Sequence, residues 1–234
     1  MAHKDLHGGS TNWWPPSGDH VILYKANPLR FEHFDRFLES WAGVKVLDVG
    51  CGGGYTCEYL AERKALVFGT DILDESLQEA RGHAVQEDLK IEYRLGTPER
   101  LPFDDREMDV VTCFDVLEHI PDKGRTLGEI ERVLKPGGWL FFDTVNKTFL
   151  ARLGVIWFGE ILLRFVPRGT HHWSLFAGPE ELKHLLEKVG FKEVDFAGIK
   201  FDLRARARNG LPVRVASNGN TAVIYFGAAR KPIH

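Results

Sequence analysis

The sequence VKVLDVGCGGG occupies residues 44–54 and joins a short apolar run to a cluster of glycines. A short continuous apolar run that ends at glycines is typical of a buried parallel strand, here Val44–Val49. Glycines let the chain turn tightly and let a ligand approach the main chain closely. Because a helix is predicted directly afterwards, over residues 56–64, the segment predicts a strand, a ligand-binding turn and a helix in that order.

The same alternation of strands and helices continues along the chain. Further strands are predicted at residues 65–71, 91–95, 108–114, 139–144, 193–201 and 221–228, and further helices at 75–86, 123–134 and 179–189. Alternation of this kind predicts an α/β fold, a Rossmann-like doubly wound sheet of seven mostly parallel strands. In such sheets, ligands bind beyond the carboxyl ends of the strands.

The length of 234 residues (26.5 kDa) fits a single domain, residues 1–234. Two segments do not follow the alternation: residues 1–40, expected to form an N-terminal helical cover, and residues 145–177, an insertion after the fifth strand expected to cover the site. Hydrophobic residues make up 44% of the chain and charged residues 27%, which excludes wholesale disorder.

Three cysteines, Cys51, Cys57 and Cys113, are too few for a disulfide scaffold or a four-cysteine zinc site. The N-terminus lacks the apolar stretch of a secretory signal. Both observations predict a reducing, cytoplasmic location.

Charge is unevenly distributed although the net charge is only −3. Residues 1–144 carry 16 basic and 26 acidic side chains, whereas residues 145–234 carry 14 basic and 7 acidic ones. The basic C-terminal part indicates contact with something anionic. The alternative interpretation is that the local charge varies along the chain without a functional reason.

Asp71 lies at the end of the second predicted strand, where a carboxylate can accept hydrogen bonds from both hydroxyls of a ribose. The alternative is that Asp71 caps the helix that follows. A glycine-rich loop alone is weak evidence for any one ligand, because such loops bind NAD, FAD or other nucleotides.

Further motifs indicate which of these nucleotides is the ligand. The loop Gly50-x-Gly52-x-Gly54 follows the acidic Asp48, LPFD stands at 101–104, DVLEH at 115–119 and LKPGG at 134–138. This set resembles class I S-adenosylmethionine-dependent methyltransferases, which implies that S-adenosylmethionine is the cofactor. Its sulfonium and amino-acid tail need no pyrophosphate cradle, and Asp48 either orders the loop or binds the ligand's ammonium.

Additional segments narrow the resemblance: Trp13-Trp14, NPLR at 27–30, VTCFDVLEH at 111–119 and FVPRGTH at 165–171. Over about residues 13–190 the chain resembles the ubiquinone-biosynthesis O-methyltransferases, whereas the tail RARAR at 204–208 departs from them. The resemblance implies methylation of a catechol-type hydroxyl on a polyprenylated ring and association with a ubiquinone-biosynthesis complex. It places cofactor contacts at Arg30, Gly50, Asp71 and Phe114. The neighbouring Asp48, Cys51, Gly52 and Ile72 are also predicted to bind the cofactor.

A catechol hydroxyl titrates near pH 10, by analogy with tyrosine, so the site must lower its pKa or supply a base. Asp115, Glu118 and His119 stand at i, i+3 and i+4 and would project from one side of a helix. Two oxygens and an imidazole could hold Mg²⁺ or Zn²⁺, and the mitochondrial relatives carry a metal site here. The alternatives are a metal-free general base at His119, or a structural role. His171 and His172 are further candidate bases.

The segment 149–166, FLARLGVIWFGEILLRFV, is apolar but interrupted by charges and too short to span a membrane. It predicts an amphipathic helix on the inner face of the cytoplasmic membrane, in contact with anionic lipid. A helix packed on the domain, a dimer interface and a lid are alternatives.

Two other functions remain open: methyl transfer to a carbon or nitrogen acceptor, and binding of S-adenosylmethionine without catalysis. Nucleic acid is not an expected substrate, because the entrance segment is apolar and no base-flipping motif is present.

Overall fold

A computed structural model describes residues 13–16, 20–151, 172–205 and 213–233. The strands are β1 Lys45–Val49, β2 Leu66–Asp71, β3 Ile91–Leu95, β4 Met108–Cys113, β5 Leu134–Val145, β6 Lys192–Phe201, β7 Val213–Ala216 and β8 Asn220–Arg230. The helices are α1 His20–Phe34, α2 Tyr55–Glu62, α3 Asp74–Gln86, α4 Lys123–Val133, α5 Phe149–Ala151 and α6 Pro179–Val189.

The strands form one sheet in the order β3-β2-β1-β4-β5-β8-β6-β7. The first five pair in parallel, with Val46 of β1 opposite Val67 of β2 on one side and Val110 of β4 on the other. The order reverses direction at β1, which is the switch point where open α/β sheets bind ligands. The predicted doubly wound α/β fold is confirmed.

Within the described part of the chain, the sheet has eight strands rather than the predicted seven. The additional strand, β7, is only four residues long and pairs antiparallel with β6 at the edge of the sheet. Strand β8 is antiparallel to both β5 and β6. A strand as short as β7 has too few residues for an alternating pattern, so the sequence did not predict it.

Two apolar clusters cover the two faces of the sheet. One includes Phe31 and Phe34 of α1, Leu60 of α2 and Leu77 of α3; the other includes Ile130 of α4 and several residues of α6. All these side chains are buried. The helices before and after β4 therefore lie on opposite faces, which leaves the carboxyl ends of β1, β2 and β4 as the common edge.

Helix α1 begins within the predicted N-terminal cover. Most of the predicted amphipathic segment lies outside the described residues, as do His171 and residues 206–208 of the basic tail. Among the helices that the structure does describe, none combines the length and hydropathy needed to cross a bilayer.

Candidate cofactor and acceptor site

The glycine loop lies between β1 and α2 and has a backbone that ordinary side chains rarely adopt. Gly50, Gly52 and Gly54 have φ values of +73°, +50° and +88°. A Cβ added to Gly50 would lie 2.4 Å from Val116 Cγ2. Since Val116 follows β4, the glycine permits the loop and the end of β4 to come together at the switch point.

Three successive loop N–H groups are already used within the protein. Gly50 and Cys51 both donate to the carbonyl of Thr70, over 2.8 and 3.0 Å. Gly52 donates to Oδ2 of Asp71 over 2.9 Å. A dinucleotide loop needs free N–H groups for a pyrophosphate, so this loop fits a ligand that lacks one.

Asp71 also accepts from the N–H of Leu73, next to the start of α3, over 2.9 Å. The carboxylate therefore orders both the loop and the turn into α3, which agrees with the alternative interpretation of a cap. Each oxygen retains a further lone pair. The half-buried Asp71 thus fits a hydroxyl-bearing ligand as well.

Asp48 is buried at the carboxyl end of β1, where its Oδ1 accepts a hydrogen bond from Thr112 Oγ1 over 2.7 Å. Burial raises the pKa of Asp48 to about 7, against the opposing effect of the Thr112 hydrogen bond. Cys57 of α2 lies 3.7 Å from its other oxygen. Asp48 therefore links β1, β4 and α2, and its predicted role in ordering the loop or binding the ligand's ammonium stays a prediction.

The guanidinium of Arg30, buried on α1, pairs with two carboxylates. Its Nε donates to Asp143 Oδ2 over 2.6 Å, and its Nη2 pairs with Asp115. Burial alone would lower the pKa of Arg30, but Asp115 and Asp143 outweigh it and raise the pKa above its usual value. Arg30 is thus engaged by the protein, and its predicted contact with the cofactor stays a prediction.

Phe114 follows β4 and its ring is buried among other aromatic residues. It stacks on Phe34 with ring centroids 5.6 Å apart, and the Arg30 guanidinium lies 4.7 Å from its centroid. These contacts account for its burial, and its predicted contact with the cofactor stays a prediction. Cys51 is buried in the loop and Ile72 is half-buried after β2, next to Asp71.

The segment 115–119 does not form the predicted helix. Asp115 has a φ of +55°, which ends the strand in a left-handed turn, and only Leu117–His119 form a single turn of 3₁₀-helix. Asp residues tolerate this conformation better than most. The expectation that Asp115, Glu118 and His119 project from one helical face is therefore wrong.

Glu118 is buried, and its Oε2 lies 3.0 Å from Thr144 Oγ1 of β5. Burial, assisted by Asp115, raises the pKa of Glu118 to about 8. His119 is half-buried at the end of the 3₁₀ turn.

These three side chains do not fit the predicted metal site. Asp115 is held by Arg30, and the Glu118 carboxyl accepts a hydrogen bond from Thr144 Oγ1. Within the described ranges, no group of three His, Cys, Asp or Glu side chains is arranged to hold a metal ion. The donor geometry thus argues against the predicted Mg²⁺ or Zn²⁺ site.

Sequence reasoning missed Asp143, and it identified Trp13 only as part of the Trp13-Trp14 motif without placing it at this site. Asp143 at the end of β5 accepts from Arg30 and also from the N–H of Asp115, over 2.8 Å. Trp13 packs on the glycine loop, since a Cβ on Gly52 would lie 2.5 Å from its indole, and it donates to Ser76 Oγ over 3.1 Å. The position of Asp143 at a strand end, two residues before the insertion, was a signal for it.

Solved structures share this fold. One is an S-adenosylmethionine-dependent methyltransferase from Mesorhizobium loti, with a TM-score of 0.62, 20% identity, and coverage of 87% of this chain and 98% of that one. Another is phosphoethanolamine N-methyltransferase 2 from Haemonchus contortus in complex with S-adenosyl-L-methionine, with a TM-score of 0.66, 18% identity, and coverage of 92% and 57%. Residues 47–142 match the family described as methyltransferase domain. The fold and loop thus define an S-adenosylmethionine-dependent methyltransferase.

Curated relatives indicate the family within this class of methyltransferases. The ubiquinone biosynthesis O-methyltransferase of Bordetella avium is 36% identical over 223 residues, which is 95% of this chain and 90% of that protein. The protein of the same name from Nitrosomonas europaea is 36% identical over 220 residues, or 94% and 91%. This chain belongs to the ubiquinone biosynthesis O-methyltransferase family.

Proposed function

We propose that this O-methyltransferase methylates a catechol or phenol hydroxyl on a polyprenylated precursor of ubiquinone. The observation that carries the proposal is the similarity over 95% of the chain to proteins of that name. The glycine loop supports it, because its N–H groups are used internally and its acids suit a cationic, hydroxyl-bearing donor. Such a donor matches S-adenosylmethionine better than a dinucleotide.

In the proposed reaction, Asp71 would hold the ribose hydroxyls of the cofactor, and the turn at Gly50–Gly52 would hold its amino-acid part. The cofactor supplies an electrophilic methyl group on sulfur. The protein aligns the acceptor oxygen for in-line displacement, in which a C–O bond forms as the C–S bond breaks. His119, which follows β4 at the same edge of the sheet, accepts the proton of the hydroxyl.

Labelled methyl transfer to a panel of short-chain prenyl catechols tests this function. We expect label in the catechols and none in analogues whose reactive hydroxyl is replaced by hydrogen. Transfer to carbon or nitrogen acceptors alone would contradict the proposal. Tight binding of S-adenosylhomocysteine without turnover on any phenol would favour the non-catalytic alternative.

The same assay, run with and without EDTA, tests whether a metal ion is used. His119 as base predicts equal rates with and without EDTA. A metal that activates the hydroxyl as a Lewis acid predicts loss of activity in EDTA and recovery with Mg²⁺ or Zn²⁺. Either result assigns the route by which the hydroxyl loses its proton.

We also propose that the chain docks peripherally on an anionic membrane through the insertion that follows β5. Phe149 and Leu150, at the start of this insertion, expose 69% and 59% of their surface. Lys147 stands just before them. Apolar side chains beside basic ones are what interfacial docking requires, and docking would let a prenyl chain stay in the bilayer while its ring enters the site.

Flotation with vesicles tests this docking. We expect binding to vesicles that contain phosphatidylglycerol, weaker binding to pure phosphatidylcholine, and a marked loss in the double variant Phe149→Ser/Leu150→Ser. The control is Val85→Ser on α3, which is also exposed but lies far along the chain from the insertion. Equal flotation of all three proteins would contradict the proposal.

A further inference from the structure

A groove of about 830 Å³ lies on the outside of the protein, between α1, α2, the last turn of α3 and the segment Trp14–Pro16. None of the predicted cofactor or acceptor residues lines it. Its volume falls within the range of sites for small organic ligands, about 300–1,000 Å³. The site is therefore distinct from the one at the carboxyl edge of the sheet.

The groove has a preformed aromatic wall. Trp14 meets Tyr55 nearly edge-on with ring centroids 4.6 Å apart, and Tyr24 meets Tyr55 in the same way at 5.5 Å. Trp14 Nε1 donates to the carbonyl of Gly53 over 2.8 Å, and its indole stacks on His83 at 3.5 Å. Contacts on several sides thus fix the indole before any ligand arrives.

Carboxylates surround this wall. Glu58, Glu62 and Glu87 line the groove, opposed by one lysine, Lys25. Glu58 is buried and takes a hydrogen bond from His83 over 2.8 Å. Glu62 is exposed on α2, and no ion pair to it occurs in the described part of the chain. Glu87 lies 4.0 Å from His83 Nε2, so within the described residues Glu62 is the carboxylate of the groove that has no ion pair, and the groove combines π faces with a negative charge at its rim.

We propose that this aromatic groove binds an organic cation, a guanidinium or alkylammonium group on a short apolar stem. Aromatic rings attract such cations through their quadrupole, and carboxylates at the rim add charge complementarity. An inorganic ion would leave most of the volume and the aromatic wall unused. The cation belongs either to a free small molecule or to a basic side chain of a peptide.

Titration of the full chain with acetyl-arginine methylamide tests the proposal, with the citrulline analogue as a neutral probe of nearly the same shape. Calorimetry measures affinity, and the indole N–H resonance of Trp14 reports the location. We expect a dissociation constant of about 1 mM for the arginine probe, a shift of the Trp14 resonance, and weaker binding of citrulline. A tripeptide with a central arginine that binds tenfold more tightly would identify a peptide source, and equal affinity a small molecule.

Two exposed positions give variants that preserve the fold. We expect Glu62→Gln and Tyr24→Leu each to weaken binding of the arginine probe about three- to fivefold. Glu187→Gln, an exposed acid of α6 outside the groove, is the matched control and should leave affinity unchanged. Equal binding of citrulline, an equal effect of the control, or no binding up to about 10 mM would overturn the proposal.

Discussion

Nε of Arg30 lies 2.6 Å from Oδ2 of Asp143, which joins α1 to the carboxyl end of β5 across 113 positions of sequence. The side chains of both residues are almost fully excluded from solvent. The other oxygen of Asp143 accepts from the N–H of Asp115, whose own carboxylate pairs with Arg30. One cation thus holds the N-terminal helix, the end of β4 and the end of β5 together at the edge where the cofactor is expected.

Replacing Arg30 with methionine should destabilise the protein strongly. The substitution leaves the buried Asp143 without its cation, and breaking a buried pair from one side costs about 3–5 kcal/mol. Urea denaturation should show this loss in the free energy of unfolding. The double variant Arg30→Met/Asp143→Asn should recover part of it, because the uncompensated charge is gone.

The exposed pair Arg36–Asp195, with N–O distance 3.8 Å, provides the comparison. Arg36→Met should change the free energy of unfolding by less than about 1 kcal/mol. Equal losses for Arg30→Met and Arg36→Met would show that the buried pair is not what holds α1 in place.

The strand, loop and acid of the candidate cofactor site could be placed together from the sequence because their relationship is local. Residues 44–54 and Asp71 belong to one strand–helix–strand unit, so the topology alone brings Asp71 to the loop. The N–H of Gly52 does donate a hydrogen bond to Asp71. The pairing of Arg30 with Asp143 depends on how distant elements pack. Periodicity carries no signal for such a contact.

The conformation of 115–119 was not predictable from spacing for a different reason. Positions i, i+3 and i+4 share a face only in a helix, and here Asp115 adopts a left-handed conformation that no composition rule requires. The hydrogen bond from its N–H to Asp143 and the pairing with Arg30 stabilise that conformation. Tertiary contacts therefore overrode the local pattern.

Replacing Asp71 with asparagine should weaken cofactor binding. Asn keeps one oxygen but loses the charge and one of two acceptors, and hydrogen bonds to charged groups contribute about 1.5–3 kcal/mol. We expect the affinity for S-adenosylhomocysteine to fall about tenfold to a hundredfold by calorimetry. Asp74→Asn, at the exposed start of α3, should leave it unchanged. Unchanged affinity in Asp71→Asn would remove this residue from the cofactor site.

His119→Gln should lower the rate of methyl transfer and leave cofactor binding intact. General-base catalysis contributes about a hundredfold to ten-thousandfold, and the loss should shrink at high pH, where the hydroxyl ionises without assistance. Rates against pH in the labelled assay measure this. The control is His184→Gln on α6, an exposed histidine. A loss in His119→Gln that stays constant at all pH values would contradict the role as base.

The buried Asp48 should make the protein less stable as pH rises. Its pKa of about 7 in the folded state exceeds the ordinary value of 3.8, so between these values the folded protein binds more protons than the unfolded one. Stability therefore falls from about pH 4 to about pH 7 through this group. Asp48→Asn should flatten that part of the curve of urea midpoint against pH, whereas Asp104→Asn, an exposed acid, should not. Parallel curves for Asp48→Asn and the unmodified protein would refute the protonation of Asp48.

Gly50→Ala should destabilise the loop for two separable reasons. A φ of +73° costs a residue with a Cβ about 1–2 kcal/mol, and the new Cβ would lie 2.4 Å from Val116 Cγ2. The double variant Gly50→Ala/Val116→Ala removes the overlap but keeps the backbone cost. Adding Gly50→Ala to the Val116→Ala protein should therefore lower the free energy of unfolding less than adding it to the unmodified protein. Gly82→Ala, in α3 with open space around the new Cβ, should instead stabilise by about 0.5–1 kcal/mol. Urea denaturation compares all four variants, and a Gly50→Ala protein as stable as Gly82→Ala would mean that the turn does not require glycine.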